Sequence, residues 1–238
     1  MMNRRQLLKT LPVAAAAGAL FTVAGRTLAD EIPAMSRESQ RNMTPEQALG
    51  ALKDGNERFI SGRMLKRDLM AQVRATAPGQ YPFAVVLGCI DSRVPPELVF
   101  DQGIGDIFSP RIAGNFANTD IIGSIEFATE LAGAKLVVVL GHTECGAVKG
   151  ACDNVRLGNL TQTLSNLTPA VYAVKDVCDD RTSKNKAFVQ MVADENVRLT
   201  VQALTERSSI LKDLVARNRL KVVGAMHDVA TGRVSFPG

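Results

Sequence analysis

Two short stretches carry residue types that could do chemistry together. CIDSR at residues 89 to 93 and HTECG at residues 142 to 146 each follow an apolar run that ends in glycine. Cys89, His142 and Cys145 offer two thiolates and an imidazole, the donor set a tetrahedral zinc site prefers, and three protein ligands leave the fourth position for water. A closed structural site usually shows four Cys or His ligands. The only other histidine, His227, is remote in sequence, so the fourth candidate here is the carboxylate of Asp91.

Asp91 has two roles open to it. It either binds the zinc itself or accepts a hydrogen bond from zinc-bound water. Arg93 carries a planar fork suited to gripping a carboxylate with two hydrogen bonds. If Arg93 holds Asp91, the fourth position opens; if Asp91 turns to the metal, the site closes. Zinc lowers the pKa of its water from about 16 to near 7, which supplies hydroxide at neutral pH without a strong protein base. Taken alone, CxDxR also reads as a turn with a surface ion pair and HxxC as a buried pair. Their placement after two matching strand-and-glycine runs is what favours zinc.

The elements that must position these residues are legible in the periodicity. YPFAVVLG (81–88) and AKLVVVLG (134–141) read as strands buried on both faces, and ligands of an open parallel sheet bind beyond the carboxyl ends of its strands. A further strand is expected within Asp106 to Ala113, and TDIIGSIEFATELAG (119–133) reads as a helix capped by Thr119. Thr44, Pro45 and Gln47 form a helix start with a capping hydroxyl, a first-turn proline and a side chain that reaches back. Residues 160 to 219 look mostly helical, and LKVVGAMHDVATGRVSFPG closes the chain as two strands around a turn at Ala230 to Gly232. The alternation predicts an α/β fold of one domain, 44 to 238, with a mainly parallel central sheet flanked by helices, preceded by an irregular linker or arm at 30 to 43. Phe100, Phe108 and Phe116 read as core or pocket wall.

Composition decides where such a site works. The formal charge of +4 over 238 residues comes from Arg4, Arg5, Lys9 and Arg26, which precede the first acid, Asp30; the other 24 basic residues balance 24 acids. No basic stripe tracks phosphates, so nucleic acid is not an expected partner. NRRQLLK, an Ala/Gly-rich apolar stretch and TLA before Asp30 resemble a twin-arginine export signal over residues 1 to 29, which implies a periplasmic protein without stable membrane insertion after cleavage. The stretch is shorter than the roughly 18 to 20 residues a spanning helix needs. Cys152 and Cys178 are either two small buried residues or a disulfide.

VVLGCIDSRVPPELVFDQGIGDIFSPRIAGN together with VVVLGHTECGAVKGA resembles the β-class carbonic anhydrases, a likeness that runs from about Thr44 to GAMHDVATG. The resemblance implies zinc held by Cys89, His142 and Cys145, with Asp91 and Arg93 as the catalytic dyad. It implies reversible hydration of carbon dioxide to bicarbonate and a proton, by a zinc-bound hydroxide whose remaining proton is donated to Asp91. A homodimer is the minimal unit it implies, with N-terminal helices gripping the partner, and larger homo-oligomers occur. Gln102 is either the amide that hydrogen-bonds bicarbonate or a loop residue satisfying backbone groups. His227 stands where a tyrosine is expected. The chain has no Trp, so the tryptophan-dependent bicarbonate site of some bacterial members is expected to be absent or altered. Two alternatives remain: a zinc hydrolase of carbon disulfide or carbonyl sulfide, and a structural zinc protein closed by Asp91.

Overall fold

The two glycine-ended apolar runs become the middle of the sheet. In the computed structural model, residues 32–175 and 180–237 are described; the export signal read at 1 to 29, and Cys178, lie outside them. The strands are β1 (Ala84–Gly88), β2 (Ile107–Phe108), β3 (Leu136–His142), β4 (Lys221–His227) and β5 (Val234–Ser235), in the order β2-β1-β3-β4-β5. Every neighbouring pair is parallel except β4 with β5. This is the expected single-domain α/β fold with a mainly parallel sheet.

β1 and β3 are buried along their whole lengths. Successive strand residues point to opposite faces, and both faces are covered. Val85, Leu87, Val137 and Val139 pack with Ile122, Ile125 and Leu204. Ala84, Val86, Leu136, Val138 and Leu140 pack on the other side with Leu52, Val99 and Phe100. Each fully buried valine or leucine contributes roughly 1.5–3 kcal/mol, which is why neither strand shows polar alternation.

The expected irregular arm contains a helix, α1 (Arg37–Asn42), because Ser36 caps it by accepting from the Ser39 N–H at 3.1 Å. Gln40 fastens it to the body by donating to the carbonyls of Pro82 (2.7 Å) and Ala132 (2.8 Å). Helix α2 (Pro45–Ile60) begins with the full capping box of Thr44 and Gln47. Helices α3 (Leu69–Thr76) and α4 (Pro96–Val99) precede and follow β1.

Two expectations need correction. The strand sought between Asp106 and Ala113 shrinks to Ile107–Phe108, since Pro110 has no N–H to donate; pairing resumes as a single bridge from Arg111 to Gly88. The helix at 119–133 is capped by Asn118, whose side chain accepts from the Ile121 N–H at 2.9 Å, so Thr119 is its first residue. That helix, α5 (Thr119–Glu126), then widens into a π-helical turn, Phe127–Leu131.

After β3 come α6 (Gly146–Cys152), α7 (Gly158–Ser165), α8 (Thr168–Ala173), α9 (Lys186–Arg207) and α10 (Ser209–Ala216). The long α9 lies close against β3 and β4 because both strands offer glycine there. A Cβ on Gly141 would stand 2.5 Å from Val197 Cγ2, and one on Gly224 would stand 2.6 Å from Val197 Cγ1. Gly141 therefore lets α9 approach the strand whose next residue is His142. The chain closes as the expected hairpin, in which Gly232 (φ +78°) donates to the Asp228 carbonyl at 2.8 Å. Among the described residues no helix is long and apolar enough to cross a membrane.

Candidate metal centre

Cys89 follows the last residue of β1, His142 ends the neighbouring β3, and Cys145 caps α6. Because β1 and β3 pair in parallel, their carboxyl ends lie side by side, and the two loops meet. One donor atom from each residue lies within 4.8 Å of the other two, a group that could hold a metal ion. All three residues are buried.

The donors are held in place from outside the group. The Nδ1 of His142 lies 2.9 Å from the carbonyl of Thr143. A proton on Nδ1 donated there leaves Nε2 as the free lone pair, an arrangement common for metal-binding imidazoles. Thr143 is itself tied to β4, its N–H donating to the His227 carbonyl at 2.9 Å and its hydroxyl accepting from the Val229 N–H at 3.1 Å. Gly114, at φ +84°, brings its N–H to 3.3 Å from the Cys89 sulfur.

Asp91 and Arg93 form a closed pair beside these donors. Arg93 donates from its backbone N–H (3.0 Å) and Nε (2.9 Å) to Asp91 Oδ1, and from Nη2 (2.7 Å) to Oδ2. Oδ2 stands 3.9 Å from His142 Nε2. The Arg93 guanidinium holds the Asp91 carboxyl well below the usual carboxylate range, against a smaller opposing effect of burial.

The chemistry of the donor set fits a divalent cation. Nε2 of His142 is buried without a hydrogen-bond partner, a situation that costs about 1–3 kcal/mol unless something accepts that lone pair. The two thiols cannot both ionise easily. Cys89 is lowered by the hydrogen bond from Cys145, and Cys145 is raised by making that bond and by burial. A doubly charged soft-accepting metal removes both conflicts at once.

The other residues singled out in the sequence fall elsewhere or closer than expected. Gln102 donates its amide to the Phe100 carbonyl at 2.6 Å and packs against Gly55 of α2. Phe100 and Phe116 are buried core, while Phe108 meets Phe127 edge-on with ring centroids 6.4 Å apart. His227, remote in sequence, is the register partner of His142, because β4 lies beside β3. It is buried, and burial lowers its pKa.

Sequence reasoning missed Arg111. Its guanidinium reaches the backbone carbonyls of Cys89 and Asp91. The signal available was only its position after a strand, since nothing in residue type marks an arginine that binds carbonyls twenty positions back.

Residues 84–234 match the carbonic anhydrase family. The chain is 38% identical over 198 residues to carbonic anhydrase 2 of Mycobacterium tuberculosis, covering 81% of this chain and 92% of that protein. Among solved structures it resembles a β-carbonic anhydrase of Aspergillus fumigatus, with TM-score 0.61, 27% identity, and coverage of 81% and 89% of the two chains. It also resembles a tetrameric β-carbonic anhydrase of Sordaria macrospora, with TM-score 0.60, 29% identity, and coverage of 68% and 83%.

Proposed function

Because this chain belongs to the β-class carbonic anhydrase family, we propose that it hydrates carbon dioxide reversibly to bicarbonate and a proton at a zinc ion held by Cys89, His142 and Cys145. The observation that carries the proposal is the convergence of those three buried donors within 4.8 Å, with His142 Nε2 otherwise unpartnered. When bound, zinc supplies Lewis acidity and a water whose pKa falls to near 7.

The protein's own residues do the rest. Arg93 keeps Asp91 ionised and outside the ligand set, so that Oδ2 would accept a hydrogen bond from the O–H of the attacking hydroxide and orient its lone pair toward carbon. The nucleophile keeps that O–H, which becomes the O–H of bicarbonate, so Asp91 accepts a hydrogen bond and is not itself protonated. Cys89 and Cys145 lie in a buried apolar cluster with Val94, Val148 and Phe188, which keeps competing water from the ligands. The closed structural alternative requires Asp91 to surrender three hydrogen bonds from Arg93.

Titration of metal-free protein with zinc tests this. Hydration should rise in proportion to bound metal and stop rising at one zinc per chain. Stoichiometric zinc without hydration would reject the enzyme reading and leave the structural one.

We further propose a homodimer or larger assembly. Supporting it, Phe127 and Leu131 of the π-helical turn are 53% and 77% exposed, and the Sordaria relative is tetrameric. Sedimentation at several protein concentrations checks it. We also propose export to the periplasm, on the adjacent Arg4 and Arg5 and the apolar stretch after them; fractionation of cells carrying Arg4 and Arg5 replaced by lysine is the check.

A further inference from the structure

Arg111 touches neither a metal-binding atom nor the Asp91 carboxylate, yet it holds both ends of the turn that presents them. Its Nε donates to the carbonyl of Cys89 at 2.7 Å and its Nη2 to the carbonyl of Asp91 at 2.6 Å. The same Asp91 carbonyl accepts from the Val94 N–H at 3.1 Å. Arg111 is placed for this by the sheet edge. Gly88 donates to the Pro110 carbonyl at 3.0 Å, and Ile112 donates to the Gly88 carbonyl at 3.1 Å, which bridges Arg111 to the last residue of β1. A partly buried guanidinium fork on two carbonyls defines geometry more tightly than any single-point cation.

We propose that Arg111 is a positioning residue of this site: by clamping the peptide carbonyls of Cys89 and Asp91 it fixes the backbone direction from which the Asp91 side chain leaves, keeping the carboxylate on Arg93 and out of the metal's fourth position. The proposal rests on the carbonic anhydrase reading above. Asp91 has only two side-chain torsions, so its carboxylate can reach Arg93 or the metal according to how the Cys89–Asp91 peptide planes are turned. Those planes are what the fork holds. Arg93 grips the carboxylate; Arg111 sets where Arg93 finds it.

Two variants separate geometry from charge. R111K keeps the cation but offers a compact point that cannot span both carbonyls, and R111Q removes the charge and reaches one carbonyl at most. Each is prepared with one zinc per chain and checked by circular dichroism and thermal melting. Hydration is expected to fall about tenfold or more in both variants at unchanged zinc content, the scale of effect seen when a reacting group is displaced by a fraction of an ångström to an ångström. A second readout does not need turnover: azide binding to the cobalt-substituted proteins, followed by visible absorption, is expected to weaken by a similar factor as Asp91 competes for the open position.

R111K with parental hydration and parental azide affinity would overturn the proposal, as would a defect confined to R111Q, which would make charge alone the cause. Should the parent fail to hydrate carbon dioxide, the functional reading falls. Weakened azide binding in R111K would still support the clamp.

Discussion

Oδ2 of Asp91 stands 3.9 Å from Nε2 of His142 while Arg93 binds both of its carboxylate oxygens. The acid is therefore next to the metal-facing nitrogen without joining the three converging donors. A carboxylate in that position can accept a hydrogen bond from the O–H of a water or hydroxide beside the three donors, which is what the proposed reaction asks of it.

Replacing Asp91 with asparagine tests that role. Asp91→Asn leaves Cys89, His142 and Cys145 untouched, so zinc content should stay near one per chain. Hydration should fall by roughly a hundredfold or more, the usual worth of a positioned proton acceptor. Stopped-flow rates on metal-quantified protein decide it, and parental rates would remove Asp91 from the mechanism.

The same pair makes a pH statement. Arg93 holds the folded-state Asp91 pKa below its ordinary value. A depressed carboxyl contributes stability above its unfolded pKa, near 3.9, and loses that contribution as pH falls through the lower folded value. The stability difference between parent and Asp91→Asn should thus be flat at neutral pH and shrink only below about pH 4. Its size should be small, since the Arg93 side chain is half exposed. Urea midpoints across pH measure it; a step between about pH 5 and 8 would assign the dependence to another group.

Cys145→Ser exchanges an ionisable soft donor for a hydroxyl that does not ionise. Zinc affinity should drop more than about a hundredfold, beyond what loss of a supporting residue causes. Dialysis against a graded chelator series followed by metal analysis reads this out, and full retention would strike Cys145 from the ligand set.

Gly141→Ala puts a methyl group 2.5 Å from Val197 Cγ2 and 2.8 Å from Met226 Cε. Overpacking of this kind costs typically about 1–3 kcal/mol. Gly146→Ala, where a Cβ meets nothing within 4 Å, serves as its control and should be neutral or stabilising by up to about 1 kcal/mol. Urea denaturation of the two variants should separate them clearly. Equal stability would mean that α9 does not depend on the glycine for its approach.

What was legible in the sequence follows from how local each signal is. β1 and β3 stand out because a strand buried on both faces must be apolar throughout, and the start of α2 because its capping box lies within four residues. The three donors could be placed together because both motifs follow such strands. Pairings set by the tertiary fold were not legible. His227 reaches the side of His142 only through the β3–β4 register, and Arg111 reaches Cys89 and Asp91 only through the sheet edge. The early end of β2 and the π-helical turn were not legible for a related reason: a proline and a local change of hydrogen-bond spacing are tertiary and backbone effects that residue pattern does not show.

The most direct measurement is the initial rate of carbon dioxide hydration by stopped flow, on protein carrying one zinc per chain and on the same preparation stripped of metal, at mildly alkaline pH. Rapid hydration that follows the zinc and disappears with it is the expected result. A zinc-loaded, folded protein no faster than buffer would contradict it.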